Sequence, residues 1–159
     1  MTLRVGQGYD SHVFGADRPL KLAGVVIPHD RGLTGHSDGD AVAHAVTDAL
    51  LGATALGDIG QLFPDTDPAW RGADSLRLLA DVRERVTRAG FAIVNVDCTV
   101  VAERPRLAPY IPAMRERLAA ALGLPVASVS VKAKTNEGMD AVGRGDGIQV
   151  FAIAALTGP

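Results

Sequence analysis

The sequence predicts a two-layer α/β (α+β) domain, with helices packed on one face of a small mixed β-sheet. Helical spacing and strand-like alternation of apolar residues both occur, and the two patterns are interspersed along the chain. A length of 159 residues suits one domain rather than two. We therefore expect a single domain over residues 1–159 with one hydrophobic core.

The predicted elements follow the order β, β, α, loop, α, β, α, β, β. Apolar residues at helical spacing, with capping residues before them or glycine after them, predict helices over 40–56, 75–89 and 110–122. Short β-branched or alternating runs predict extended segments over 3–9, 20–27, 92–101, 129–134 and 148–156, and the segment over 20–27 suits a hairpin.

Two segments carry further detail. Alternation in the strand over 92–101 places one set of side chains on its buried face, namely Val94, Val96, Cys98 and Val100. Residues 57–74 contain three Gly, two Pro and four Asp without sustained periodicity, which predicts a long loop. Long ordered loops are usually functional, so this segment is a candidate part of a site.

Composition and charge exclude several classes of protein. The net charge of −2 gives no electrostatic footprint for nucleic acid, and no apolar run is long enough to span a membrane. The N-terminus has no secretory signal pattern and Cys98 is the lone cysteine, so we expect a cytoplasmic protein without disulfides.

Charge is distributed unevenly between the two halves of the chain. Residues 1–70 hold nine Asp and four basic residues, and the rest holds twelve basic and nine acidic residues. One half therefore suits cations and the other suits anions.

Three residues have the types and spacing of a metal site. Asp10 and His12 are two apart near the end of a predicted strand, so both side chains point to one face. His44 lies one turn into the predicted helix, and adding it gives one carboxylate and two imidazoles with a fourth position open, as in catalytic zinc sites. Asp40 and Asp48, four residues to either side of His44, are candidates to orient its other ring nitrogen. Ordinary surface histidines, or the similar ligand set of non-heme iron enzymes, are the alternatives.

Two segments suit phosphate binding. His36 and Ser37 precede a helix start, where an imidazole, a hydroxyl and free backbone N–H groups can gather around an anion; alternatively, Ser37 is simply the N-cap. Residues 132–137 and the Gly-rich 143–147 combine cations, a hydroxyl, a carboxylate and flexible backbone. A polar hairpin is the alternative there, and no Walker-type motif is present.

Taken together, the motifs carry a resemblance to a known family. They are GYDSH at 8–12, HSDGD at 36–40 with His44, TDALLG at 47–52, GDIG at 57–60, FPDTD at 63–67, RPR at 104–106, TNEG at 135–138 and GRG at 143–145. In this order the chain resembles the 2-C-methyl-D-erythritol 2,4-cyclodiphosphate synthase family over nearly its whole length.

The resemblance implies a reaction, an assembly and a set of metals. Members of the family are homotrimers with sites at subunit junctions, and they convert 4-diphosphocytidyl-2-C-methyl-D-erythritol 2-phosphate to the cyclic diphosphate and CMP in the non-mevalonate isoprenoid pathway. By this resemblance, Asp10, His12 and His44 bind a divalent metal, usually zinc. His36 and Thr135 stabilise the transition state, and Glu137 holds magnesium or manganese on the diphosphate.

The resemblance also implies the substrate pocket. Substrate contacts would come from the site side chains Asp10, His12, His36 and Ser37, and around the methylerythritol end from Asp58, Ile59, Gly60, Phe63, Pro64, Asp65, Thr66 and Asp67. At the cytidine diphosphate end they would come from Ala102, Arg106, Leu107, Ala108, Ala133, Lys134, Thr135, Asn136, Glu137, Ala141 and Arg144, the last near the trimer axis. A zinc-dependent phosphohydrolase and a metal-binding regulatory module without turnover are the alternative functions.

Overall fold

Seven strands form one five-stranded sheet and one separate hairpin. The computed structural model describes residues 1–159, apart from the side chain of Ala16. The strands are β1 (Thr2–Ala16), β2 (Leu20–Leu22), β3 (Val25–Ile27), β4 (Gly32–Leu33), β5 (Ala92–Val101), β6 (Val129–Lys134) and β7 (Gly147–Gly158). The sheet order is β4-β1-β7-β5-β6, with β5 and β6 parallel and the other pairs antiparallel, while β2 and β3 form the hairpin. The predicted mixed sheet is confirmed.

Five helices accompany these strands. They are α1 (Ala41–Thr54), α2 (Ile59–Leu62), α3 (Ser75–Arg88), α4 (Ile111–Leu122) and α5 (Asp140–Gly143). Each end of the three long helices lies within two residues of its predicted position. The predicted loop over 57–74 contains α2 and a 3₁₀ turn at Pro68–Trp70, elements too short for periodicity to identify. None of the helices in the described structure is both long and apolar enough to cross a membrane.

Close contact between α1 and β1 sets the position of the site. A Cβ atom at Gly6 would lie 2.0 Å from the Ala49 carbonyl oxygen, and one at Gly8 would lie 1.8 Å from that of Ala45. Only glycine at these β1 positions, facing alanines on α1, lets the helix lie directly on the strand. His44 precedes Ala45 on α1, so this contact places it beside the residues that follow Gly8 on β1.

The helices cover one face of the sheet, as predicted, and the other face is exposed. Buried side chains of β5 and β7, such as Val96, Cys98 and Val150, lie within the hydrophobic core on the helical side. The opposite face carries apolar residues that are 40–66% exposed, namely Leu3, Val5, Tyr9, Val13, Phe151 and Ile153. An apolar face of this extent is typical of an interaction surface.

Two strand predictions are wrong in detail. The first strand was expected to end at residue 9, but residues 10–13 continue to pair with β7 and the strand reaches Ala16. Val94 was expected on the buried face, but it is 46% exposed. A register shift between Ile93 and Asn95 inserts a bulge into β5, so the alternation read from Val96 does not extend back to Val94.

Candidate metal and substrate site

Three potential ligand atoms converge where α1 crosses β1. The Asp10 Oδ2 atom lies 2.7 Å from His12 Nε2 and 3.0 Å from His44 Nδ1, and the two ring nitrogens are 3.3 Å apart. Two ligand atoms of a tetrahedral zinc site are about 3.3 Å apart, since each bond is about 2.0–2.1 Å long. The residues present therefore fit a divalent metal ion, and all three are partly buried.

The ionised carboxylate of Asp10 also favours a cation at this cluster. Burial raises the pKa of Asp10, but hydrogen bonds with His12 and His44 outweigh this and hold it below its ordinary value. Burial lowers the pKa of His12, but the bond with Asp10 outweighs this and raises it. The Asp10 carboxylate and the two imidazoles together provide three lone-pair ligand atoms that either protons or a metal ion can occupy.

Hydrogen bonds behind the two imidazoles fix which ring nitrogen faces inward. His12 Nδ1–H donates to the Thr34 carbonyl oxygen at 2.5 Å, which leaves the Nε2 lone pair for the cluster. His44 Nε2 lies 2.8 Å from Ser75 Oγ and 3.0 Å from Ser37 Oγ. The Ser75 hydroxyl donates to Asp38 Oδ1 at 2.5 Å, so its oxygen is free to accept from His44 Nε2–H. Nδ1 of His44 then carries the lone pair that faces the cluster.

The prediction that Asp40 or Asp48 orients His44 is wrong. Asp40 is fully buried and accepts from three backbone N–H groups, those of Ala23, Gly24 and Ala43. It is the N-cap of α1, so the alternative role of Ser37 as the N-cap is wrong as well. Asp48 accepts from the Ile59 N–H group at 2.8 Å and ties α2 to α1.

A cavity of about 370 Å³ opens beside the metal ligands. Of the residues predicted for the methylerythritol end, Ile59, Gly60, Phe63 and Asp65 line it, together with His12, His36, Ser37 and His44. Asp58, Pro64, Thr66 and Asp67 do not line it. Asp58 instead caps α2, and the Asp67 carbonyl accepts from His36 Nε2 at 3.0 Å and so holds that imidazole.

Two apolar residues of this cavity, Trp70 and Leu78, were not predicted from the sequence. Trp70 packs edge-on against Phe63, with ring centroids 5.0 Å apart. The only available signal for Trp70 was that a lone tryptophan stands in the Gly- and Pro-rich loop. Leu78 gave no signal, because it lies on the apolar stripe of α3 like any core residue.

A second, larger cavity of about 1170 Å³ lies where β5 and β6 end. Its lining includes most of the residues predicted for the cytidine diphosphate end, namely Ala102, Arg106, Leu107, Ala108, Ala133, Lys134, Thr135 and Arg144. Asn136, Glu137 and Ala141 are outside the lining. Residues from the other end of the sheet, Phe14 and His29 to Arg31, also line the cavity and were missed, because β1 and the segment before β4 reach it only in the folded chain.

The two cavities are separate within one chain. His36 lines the smaller cavity and Thr135 lines the larger one, and no described residue lines both. The two residues that the resemblance pairs in catalysis are therefore not brought into one cavity by a single copy of the chain.

Comparison with known proteins gives consistent matches over the full length. Residues 3–157 match the YgbB family. Curated relatives named 2-C-methyl-D-erythritol 2,4-cyclodiphosphate synthase include one from Burkholderia thailandensis, 57% identical over 98% of this chain and 96% of its own. Another from Laribacter hongkongensis is 59% identical over the same shares of the two chains.

Solved structures of similar proteins have the same fold. A structure of 2C-methyl-D-erythritol-2,4-cyclodiphosphate synthase described as a CDP-bound form is 41% identical, with a TM-score of 0.89 over 97% of this chain and 100% of its own. An IspF complex with CDP from Plasmodium falciparum is 31% identical, with a TM-score of 0.86 over 98% and 96% of the chains. The bifunctional IspDF of Campylobacter jejuni is 42% identical with a TM-score of 0.96, and this chain spans 43% of its length.

Proposed function

Since the chain belongs to the YgbB family, we propose that it is a cyclodiphosphate synthase that converts 4-diphosphocytidyl-2-C-methyl-D-erythritol 2-phosphate to 2-C-methyl-D-erythritol 2,4-cyclodiphosphate and CMP. The activity is that of the relatives that are 57% and 59% identical to it over 98% of its length. The observation that carries the proposal is the convergence of Asp10, His12 and His44 beside a cavity lined by His36.

In the reaction, an oxygen of the substrate's own 2-phosphate attacks the β-phosphorus. The new P–O bond closes the ring, the bond from the β-phosphorus to the CMP oxygen breaks, and CMP leaves with the electron pair. The nucleophile belongs to the substrate, so the enzyme needs no activated serine or cysteine. Cys98 is fully buried and takes no part.

Metal ions would share the negative charge of the three phosphate groups. We assign Asp10, His12 and His44 to a divalent metal, zinc or another, with an open position for a phosphate oxygen. Glu137 is assigned to magnesium or manganese on the diphosphate, since such ions are often held by one or two carboxylates and substrate phosphates together. When bound, these ions polarise the P–O bonds and stabilise the charge of the transition state.

The side chains themselves position the substrate and donate to it. His36, held by the Asp67 carbonyl, and Ser37 lie in the cavity beside the metal ligands, where a phosphate oxygen would be bound. The methylerythritol end is assigned to the residues of the 58–67 loop, of which Ile59, Gly60 and Phe63 supply a partly apolar wall. Thr135 would donate its hydroxyl from the other side of the reacting phosphate.

The larger cavity suits the cytidine diphosphate. Five cationic side chains line it, namely Arg31, Arg104, Arg106, Lys134 and Arg144. A diphosphate is drawn to such a cluster by charge, and arginine adds paired hydrogen bonds to its oxygens. Two structures similar to this chain are described as holding CDP, which supports the assignment.

We further infer that the protein is a homotrimer in which each site is completed by a neighbouring chain. One substrate molecule must contact both the metal ligands and the cationic cavity, yet the two cavities of one chain are separate. The exposed apolar face of the sheet, with Leu3, Tyr9 and Phe151 on it, would be covered by other copies. A head-to-tail interface that closes into a ring joins the metal half of one chain to the nucleotide half of the next. We expect this trimer in the cytoplasm.

The direct test is incubation of the pure protein with the substrate, zinc and magnesium, followed by ³¹P NMR and quantification of CMP. Cyclic diphosphate and CMP in equal amounts are expected. Attack by water would instead give CMP and a linear bisphosphate, which would make the protein a phosphohydrolase. Binding of metal without release of CMP would contradict an enzymatic role.

A further inference from the structure

The segment that carries Thr135 and Glu137 has an unusual backbone. It follows β6 directly, and it turns tightly so that Met139 N–H donates to the Asn136 carbonyl oxygen at 2.9 Å. The φ angles are +52° at Glu137 and +73° at Gly138. Glycine adopts this left-handed region freely, whereas a residue with a Cβ atom, such as Glu137, rarely does. Something in the structure must hold the turn in place.

The carboxylate of Glu103 bridges the two ends of this turn. Its Oε2 atom accepts from Asn136 N–H at 3.0 Å, and its Oε1 atom accepts from Gly138 N–H at 3.2 Å. These are the backbone groups immediately before and after Glu137. Charge-assisted bonds to both make Glu103 a two-point clamp around the residue between them.

The sheet delivers Glu103 to this position. Strands β5 and β6 run parallel, and their ladder is extended by one bond from Ala102 N–H to the Lys134 carbonyl oxygen at 2.9 Å. Glu103, which follows Ala102, and Thr135, which follows Lys134, therefore leave the sheet side by side. Both Glu103 oxygens are engaged by backbone N–H groups, which leaves this side chain a poorer metal ligand than the exposed Glu137.

We propose that Glu103 is a positioning residue, whose carboxylate holds the 136–138 turn so that Thr135 and Glu137 are presented to the reacting diphosphate. The proposal rests on the proposed function for its catalytic consequence. Glu103 lines the larger cavity beside Ala102 and Arg106, which are assigned to the nucleotide, but its two carboxylate oxygens are bonded to the turn. The clamp acts before substrate binds, because it consists of contacts within the chain.

The turn would still form without the clamp, but its backbone would be more mobile. The Asn136 side-chain amide still donates to the Met139 carbonyl oxygen at 2.8 Å, and the β5–β6 ladder does not depend on Glu103. A variant at Glu103 is therefore expected to fold and to keep the distant cluster of Asp10, His12 and His44. This separates loss of positioning from loss of structure.

The test compares Glu103→Ala, Glu103→Gln and the control Glu116→Ala, whose side chain is exposed on α4. Hydrogen exchange of the peptide spanning 135–139 is measured without substrate, and kcat, KM, the magnesium half-saturation and bound zinc are measured for each protein. Glu103→Ala should exchange this peptide about tenfold faster or more. It should lower kcat by about 10- to 100-fold, with a smaller change in KM and a raised magnesium half-saturation.

Glu103→Gln should lie between the alanine variant and the wild type, since its amide keeps one acceptor for the turn. Zinc content and thermal midpoint should match those of Glu116→Ala. The proposal would be overturned if the 135–139 peptide of Glu103→Ala exchanged at the wild-type rate. It would also be overturned if the fall in kcat came with a loss of bound zinc and a lower thermal midpoint. If the wild type released no CMP, the proposed function would fail, and the exchange experiment would still test the clamp.

Discussion

His44 Nε2 lies 2.8 Å from Ser75 Oγ, and the Ser75 hydroxyl donates its proton to Asp38. This chain of two bonds links a metal-ligand candidate on α1 to the first residue of α3. Because the serine proton is already committed, its oxygen can only accept from His44. The imidazole is therefore held with its proton on Nε2, and its unprotonated Nδ1 faces Asp10 and His12.

Ser75→Ala should weaken zinc binding by about tenfold to a hundredfold, since it removes the nearer of the two hydroxyl oxygens beside His44 Nε2 and leaves only that of Ser37. Alanine suits the first turn of α3, so the fold should persist. Zinc affinity is measured by competition with a chromophoric chelator, with Ser128→Ala, outside both cavities, as the control. Equal affinity in Ser75→Ala and Ser128→Ala would remove Ser75 from the support of the site.

His44→Ala should lose the bound metal outright. The wild type is expected to retain about one zinc per chain after dialysis, because three donors converge within the cluster. Removing one of them leaves only Asp10 and His12. Metal content by atomic emission checks this, and full retention of zinc by the variant would exclude His44 from the ligand set.

Glu137→Gln should raise the magnesium requirement while leaving bound zinc unchanged. The carboxylate lies on the turn after β6, outside the residues that form the zinc cluster. We expect kcat to fall by about 10- to 100-fold at fixed magnesium and to recover in part as magnesium increases. A magnesium titration of the variant that superimposes on that of Glu116→Gln would contradict the assignment.

Cys98 should be inert in the folded protein. Burial raises the pKa of its thiol to about 12, from an ordinary value of 9.0, so almost no thiolate exists at pH 8. The unfolded chain would release this proton near pH 9 and the folded chain would not, so this residue's contribution to stability falls as the pH rises from about 9 to 12. A thiol reagent at pH 8 should label Cys98 only in denaturant. Rapid labelling of the native protein would refute this.

Sequence alone was sufficient for features that depend on local patterns. The periodicity of α1 and the bounds of β5 and β6 could be predicted, since strand alternation and helix spacing determine which face each residue occupies. For Asp10, His12 and His44, spacing left ordinary surface histidines as an alternative, and the family resemblance favoured the metal site. The extension of β1 to Ala16 could not, because residues 10–13 pair with β7, more than 130 residues later, and Phe14 and Ala16 pair with β4. The bulge that turns Val94 outward has no signature in the alternating pattern.

Contacts between distant segments account for the rest of what was missed. Ser75 and Asp38 are 37 residues apart, and Glu103 and Asn136 are 33 apart. The two residues of each pair lie in different segments of the chain, so no periodic pattern in the sequence relates them. Asp40 and Asp48 were chosen for His44 by helical spacing, but backbone N–H groups of the β2–β3 hairpin turn and of α2 compete for their carboxylates and bind them.

In the proposed trimer, a cyclising site is assembled from the metal half of one chain and the nucleotide half of another. It is tested by co-refolding His12→Ala, impaired in the metal half, with Glu137→Gln, impaired in the nucleotide half. Equal amounts of the two variants would give about three-quarters mixed trimers. Each mixed ring has one junction of three at which an intact metal half meets an intact nucleotide half.

The measurement is the rate of CMP release before and after subunit exchange, with exchange verified by native mass spectrometry. We expect about a quarter of all sites to regain wild-type activity, and only after exchange. Activity that stays at the average of the two variants after verified exchange would show that each site lies within one chain, and would contradict the account.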